Sequence, residues 1–498
     1  MSKKKKFFLN ASIGITKQII AVTCGLVLPR CMLLYYGSAI NGLISSITHF
    51  LSFISLLDMG VGAVIQSNLY KPMVDKDLKQ ISRIIKASEK FFHRLSYIFV
   101  AYIILLCFVF VKIFDTEYSA VFTISLLFII SISTFAQYFF GMPYQLLLNA
   151  DQRAYVALLL QIGSTALSTI LALTLIKLGA SVHVVKLMTA FVYVLRPLGQ
   201  SIYVRKKYDL DRKIKVIGEP IKQKWNGFSQ HLSAVVCENV DIAVLTTFSS
   251  FETVSIYSIY HGIINGLTGF IMMASTGLEP LLGNMIAKKE QEQLIETFNL
   301  VEWIIHTIVT ITFTIAALLI IPFVSVYTKG IQDTNYIVPL FGYLLISAYA
   351  VRCLRIPYFC VINAAGHFKE TQNGSFVAAI LNIIITVLLV FRYGLIGAAM
   401  GTLVAMVYHT CYFACYLRVN ILQRPFKNFF GHIFVDLLAV VISCNVTKDF
   451  TFNEMSYLAL ISLAVKVTLT VFLINLIVNL IFYLRQIMQI FGLLVRDI

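Results

Sequence analysis

Pro143-Tyr144 is followed, after four residues, by Asn149-Ala150, and Pro357-Tyr358 is followed, after four residues, by Asn363-Ala364. The two stretches lie 214 residues apart, close to half of the 498-residue chain. Each ends an apolar run, passes through a short polar loop and leads into another apolar run. Two further pairs keep the register. Val64–Leu69 aligns with Pro280–Met285 at 216 residues, and Gly179-Ala180 with Gly394-Leu395 at 215. Three landmarks in one register argue for a duplicated unit.

Composition sets what is duplicated. The chain is 58% hydrophobic and 13% charged, with a mean hydropathy of +0.83, which excludes a soluble globular protein. Apolar runs of roughly 18–25 residues recur and predict an all-α polytopic membrane protein. A transmembrane barrel would show short alternating segments instead. We count about fourteen spans, roughly 10–34, 40–66, 92–112, 119–141, 154–177, 182–204, 227–250, 255–286, 300–325, 335–360, 373–391, 396–417, 431–447 and 457–484. The reading is a six-helix lobe in 1–204, a basic linker in 205–226, a second six-helix lobe in 227–417 and two additional helices in 418–498. With an even number of helices per lobe, the copies share one orientation, the parallel kind of repeat.

The net charge of +16 sits in short loops. About 28 of the 40 Lys and Arg residues fall on the side of loops 67–91, 142–153, 205–226, 287–299, 361–372 and 418–430, which predicts cytoplasmic termini. The outer loops hold only Lys112, Lys177, Lys329, Arg392 and Lys448. Both Pro-Tyr stretches then lie at cytoplasmic span ends, as hinges or helix-ending loops. Lys3–Lys6 before an apolar run, without a small-residue cleavage site, reads as an uncleaved first helix. Asp77–Leu95 is amphipathic, with Ile81, Ile84 and Ile85 opposite Lys79, Arg83 and Lys86, and is expected at headgroup level as a surface helix. The nine cysteines are scattered through apolar runs and read as small hydrophobes.

Enzyme signatures and metal-ligand spacings are missing, so the chain is read as a non-enzyme without cofactor. Charges inside spans carry the functional information, because a charge at mid-membrane needs water or a partner. The candidate substrate cations are Arg30, Arg352, Arg355 and Arg196. Arginine suits phosphate geometry. Arg352 and Arg355 stand three apart in span 10, where span 4 has Gln137 and Tyr138. Asp58, Glu238, Asp241 and Glu279 are candidates for balancing charge or binding a coupling H⁺ or Na⁺, against the alternative of structural ion pairs. Glu302 and His306 also fall in a span, and Glu302 is set aside as close to the inner face. Gly262 and Gly266 form a GxxxG pair, read as tight helix packing, and Gly60-Val61-Gly62 is read as a bend.

Tyr36-Gly37, Asn41-Gly42-Leu43 and Ser55–Ala63, together with Asn239–Leu245 and Glu252–Ser258, resemble the signature of the Wzx-type polysaccharide repeat-unit flippases of the MOP superfamily. The likeness runs along the whole chain. It implies two lobes around a cavity, alternating access, and a substrate made of an oligosaccharide on undecaprenyl diphosphate. Arg30, Arg352 and Arg355 would then meet the diphosphate or acidic sugars, and the two additional helices would offer a groove for the lipid tail. It places the protein in a bacterial inner membrane, with membrane lipids, a polysaccharide polymerase and a chain-length regulator as candidate partners and no nucleic acid. Alternatives within the superfamily are a multidrug or cation antiporter, which would stop at twelve spans, and a lipid II or teichoic-acid precursor flippase. A membrane glycan polymerase or ligase would carry a large outer loop, which this chain lacks.

Overall fold

The computed structural model describes residues 3–58, 61–114, 118–211, 214, 228–452, 454–484 and 486–488. Met59-Gly60 of the signature and most of the 205–226 linker (212–213 and 215–226) lie outside the described residues. The described residues are helical without strands, and they form two compact units, Met1–Ile259 and Tyr260–Ile498.

In the first unit, α1 (Lys3–Ser52) runs on through a 3₁₀ turn, Phe53–Asp58. It is followed by α2 (Val61–Asp75), α3 (Leu78–Lys112), α4 (Ala120–Ala136), a π-helical turn (Gln137–Gly141), α5 (Met142–Ala150), α6 (Ala154–Lys177), α7 (Val182–Lys207) and α8 (Phe228–Phe248). The boundary falls inside α9 (Phe251–Ala274). In the second unit come α10 (Leu278–Lys288), α11 (Gln291–Tyr327), α12 (Pro339–Leu354), α13 (Ile356–Ala364), α14 (Gln372–Tyr393), α15 (Leu395–Leu417), a π-helical turn (Arg418–Leu422), α16 (Lys427–Thr447) and α17 (Tyr457–Phe482).

Thirteen of the described segments are long and apolar enough to cross a membrane. The first, Leu9–Asp58, has 50 residues and accounts for the difference from fourteen. Straight, it would measure about 75 Å, more than twice a hydrocarbon core. Gly37 breaks it, with φ 84° and ψ 171°, a backbone state that side chains rarely reach. Divided there, the segment supplies two crossings. Pro29, by contrast, is absorbed within the helix.

The repeat is visible in the elements. Short α2 and α10 match, long α3 and α11 match, and each Pro-Tyr stretch opens a nine-residue helix, α5 or α13, with proline in its first turn. Proline belongs there because its missing N–H has no helical partner to lose. Each copy follows an interruption, the π turn before α5 and the Arg355 junction before α13. The stretches therefore mark a helix restart rather than a helix end.

Two expectations need correcting. Asp77 caps α3 by accepting from Gln80 N at 2.9 Å, and the amphipathic stretch then runs unbroken into the span. Ile81, Ile84, Ile85 and Phe92 are buried in the first unit's core, so this face is satisfied by protein and not by headgroups. The GxxxG of Gly262 is also not a close packing site, since a Cβ there would meet nothing within 4 Å. Close packing occurs instead at Gly397 and Gly401, an unread GxxxG. A Cβ on Gly397 would lie 2.3 Å from the Leu389 carbonyl oxygen, and one on Gly401 would lie 2.2 Å from Thr386 Oγ1. These two glycines let α15 press against α14.

The compact units and the repeat divide the chain at different places. Helix α8 belongs to the second copy by sequence, yet it packs on α1. Ser46 and Thr246 hydroxyls meet at 2.7 Å, Asn41 Nδ2 donates to Ser255 Oγ at 2.8 Å, and Ser52 Oγ donates to Asn239 Oδ1 at 2.6 Å. A Cβ on Gly42 would fall 1.7 Å from the Phe251 carbonyl oxygen. The flippase-like signature residues thus meet one another in a single polar packing seam.

Candidate functional site

Helix α11 carries Glu302 and His306 one turn apart, which puts them on one side of the helix. Glu302 is completely buried. Arg424, just past the π turn that ends α15, forks onto it. One guanidinium nitrogen donates to Oε2 at 2.6 Å and the other to Oε1. Tyr358, from the second Pro-Tyr stretch, donates to the same Oε1. His432 Nε2 lies 3.5 Å from Oε2. Arg424 also donates to Asn299 Oδ1 at 2.8 Å and lies over the Phe298 ring. A buried carboxylate is tolerated only when paired and hydrogen-bonded in this way.

A second pair adjoins the first. His306 Nδ1 is 2.5 Å from Asp436 Oδ2, and Thr310 donates to Asp436 Oδ1 at 2.8 Å. The His306 and His432 rings face each other at 4.9 Å, and Tyr483 Oη meets His432 Nδ1 at 2.7 Å. The chain of polar contacts thus runs from Arg424 and Glu302 through the two histidines to Asp436.

Asp436, His306 and Thr310 form the polar edge of a cavity of about 410 Å³. Its walls come from α11, α12, α15 and α16, and Phe313, Val351 and Ile433 represent its apolar lining. A space this size with a mostly apolar wall suits a hydrocarbon segment or an amphiphile rather than a bare polyanion.

The sequence candidates fall elsewhere. Helix α12 turns Val351 and Leu354 to the cavity, while Arg352 lies 5.6 Å from the centre of the Tyr349 ring and Arg355 faces Met406 and Phe413 on α15. Glu279 is exposed in the first turn of α10. In the first unit Arg30 is half-buried on α1. Arg196 donates to Gln145 Oε1 at 3.2 Å, and Gln145 also accepts from Gln137 of the π turn at 2.9 Å. Asp58 lies 3.3 Å from His231 Nε2. Glu238 and Asp241 do not share surroundings. Glu238 is exposed, whereas Asp241 is buried and accepts from Tyr257 at 2.8 Å.

Glu302, set aside in the sequence, is the centre of the second unit's cluster. Arg424, His432 and Asp436 were not singled out at all. Asp436 was available by the rule for charges in spans, because it is an acid within an otherwise apolar segment. Arg424 was read only as an orientation charge.

The first unit repeats part of this arrangement. Glu89 stands where Glu302 stands in the register, and Tyr144 donates to Glu89 Oε1 at 2.8 Å. Lys86 is 3.7 Å from the other oxygen. Arg205 and Tyr208 of the same unit line a pocket of about 110 Å³ with Glu89 and Tyr144. Just beyond the spans, burial and the Asp151 carboxylate raise the Tyr208 hydroxyl above its ordinary range, and Tyr208 donates to Asp151 at 2.5 Å. The Pro-Tyr tyrosines are therefore duplicated donors to a duplicated glutamate.

No family model matches the chain, and no curated protein matches it. Solved structures do. A lipid II flippase, MurJ, in an inward closed conformation aligns with TM-score 0.71 at 16% identity, over 95% of this chain and 99% of that one. The chain shares its fold. An inward-facing multidrug resistance MATE transporter of the MOP superfamily aligns with TM-score 0.64 at 12% identity, over 83% of this chain and 99% of that one. The MATE multidrug transporter DinF-BH gives a TM-score of 0.57 at 16% identity, over 86% of this chain and 97% of that one. At these identities the likeness establishes architecture, that of a multi-pass membrane protein.

Proposed function

We propose that the protein is a MOP-superfamily flippase that carries undecaprenyl-diphosphate-linked oligosaccharide repeat units across the bacterial inner membrane by alternating access. The supporting observation is the cavity of the second unit. Helix α16 lies beyond the repeat, and it supplies Ile433, Asp436 and Val440 to a largely apolar cavity of about 410 Å³. A transporter of small cations has no need of such a wall, whereas a polyprenyl chain has. The smaller share of this chain covered by the MATE folds, against 95% for the lipid II flippase, is a shortfall about the size of the C-terminal helix pair. In this reading Arg30 and Arg196 serve the diphosphate or the sugars, and the termini are cytoplasmic. A polymerase and a chain-length regulator are the expected functional partners.

The near-complete mutual coverage with a lipid II flippase favours one second reading, a cell-wall precursor as substrate. Deleting the gene separates the two. Accumulation of lipid-linked repeat units on the inner leaflet, with loss of surface polymer and normal growth, supports the proposal. Accumulation of lipid II with lysis supports the second reading. Neither intermediate accumulating removes both.

A further inference from the structure

We propose that His306 and Asp436 form a proton-binding site in the wall of the second unit's cavity. The site stands apart from the substrate's identity and from Asp58, Glu238, Asp241 and Glu279.

Charge count is the first argument. The groups facing His306 are Glu302 on its own helix, Tyr358 on α13, Arg424 before α16, His432 and Asp436 on α16 and Tyr483 on α17, with Cys411 of α15 across the cavity. Two are carboxylates and one is a guanidinium. With both histidines neutral the cluster holds one uncompensated negative charge. Burial at membrane depth penalises that charge heavily. One added proton brings the cluster to zero.

Geometry is the second argument, and it says where the proton goes. Glu302 already accepts from Arg424 and Tyr358, so its charge is compensated. Asp436 has only a hydroxyl, Thr310, and His306. His306 is 2% exposed, and its Nε2 has no hydrogen-bond partner among the described residues. With Nδ1–H donated to Asp436, Nε2 is a bare lone pair, and an imidazole so placed takes up a proton to become the cation that Asp436 lacks. Asp436 keeps 17% side-chain exposure, so its edge of the cavity is the route by which the proton enters. Histidine and carboxylate chains inside spans are the usual material of proton relays.

The chain contains its own reporter. Its two tryptophans are Trp225 and Trp303, and Trp303 stands one helical turn before His306. In purified full-length Trp225→Phe protein, emission from Trp303 is titrated from roughly pH 5 to pH 8.5, the range in which imidazole changes charge. A single-proton transition is expected. It disappears in His306→Gln and in Asp436→Asn, and it persists in His432→Gln. Thr310→Val, which removes only the hydroxyl that steadies the carboxylate, keeps the fold and raises the midpoint by about half a pH unit. Circular dichroism and gel filtration establish that each variant is folded. A flat titration of the parent, a transition retained in both His306→Gln and Asp436→Asn, an unmoved midpoint in Thr310→Val, or loss in His432→Gln alone overturns the assignment. All of these readouts are independent of any transport assay, so they stand or fall separately from the proposed substrate.

Discussion

Glu89 and Glu302 occupy one position of the repeat, and each accepts a hydrogen bond from the tyrosine of its own Pro-Tyr stretch. Their surroundings differ. Glu89 keeps 23% of its side chain exposed, with a lysine at 3.7 Å, and lines a small polar pocket. Glu302 has no exposed side chain and is enclosed by Arg424, His432 and Tyr358. Helices α16 and α17 explain the contrast, since they exist only after the second copy and bring His432, Asp436 and Tyr483 against it. One inherited contact has thus been placed in two dielectric settings. In the open copy it is a modest local tie. In the covered copy it became part of a charged cluster beside a cavity.

Removing the arginine partner tests that contrast most severely. Arg424→Met leaves Glu302 buried without its counter-charge, and uncompensated buried charges cost about 3–5 kcal/mol. We expect a large fall in the melting temperature of the purified protein. Arg205→Met in the open copy should leave melting almost unchanged, because partly exposed pairs contribute little. Equal losses in both variants would break the comparison. Glu302→Gln combined with Arg424→Met should recover much of the loss, as removing both charges removes the penalty.

Packing gives the next largest effect. Gly401→Ala drives a methyl group to 2.2 Å from Thr386 Oγ1, so α14 and α15 must separate. Overpacking of this kind costs about 1–3 kcal/mol. Gly262→Ala meets nothing within 4 Å and should be neutral or slightly stabilising. Thermal melts of the two variants decide which GxxxG holds helices together. A costly Gly262→Ala would restore the reading made from the sequence.

Much of the architecture was legible in the sequence, for identifiable reasons. Span length follows from bilayer thickness, and the duplication was carried by short motifs that survive divergence. What stayed hidden depends on rotation about each helix axis. Arg352 and Arg355 were visible as intramembrane charges, but only packing shows that α12 turns Val351 and Leu354 to the cavity instead. Glu302 lay near an end of its span by sequence, and nothing local announced the cover supplied by α16 more than a hundred residues later. The two GxxxG pairs are alike as strings and differ only in what faces them.

A smaller test lies in the tyrosines. Tyr358→Phe should cost about 1.5–3 kcal/mol, the range for a hydrogen bond to a charged, buried acceptor. Tyr144→Phe, facing a partly solvated Glu89, should cost about 1 kcal/mol or less, because water replaces the lost donor. Their ratio sharpens the comparison, since it isolates the surroundings of an identical chemical change. A ratio near one in thermal melts would mean that burial of Glu302 is compensated by its other partners.

The smallest effect concerns the rim of the open copy. Tyr208 donates to Asp151, and burial together with that carboxylate raises its hydroxyl above the ordinary tyrosine range. A raised acid constant in the folded state means that the neutral form is the one stabilised. The contribution is therefore complete below the unfolded value, about 10, and is lost as pH rises through the folded value. Tyr208→Phe should melt slightly lower than the parent at pH 8, by the equivalent of about 1 kcal/mol. Above about pH 10 the unfolded parent ionises and the variant does not, so the gap should close and then reverse. The covered copy has no counterpart of this solvent-facing tyrosine–aspartate pair among its described contacts. A gap that held constant across the alkaline range would show that Tyr208 acts there only by filling space.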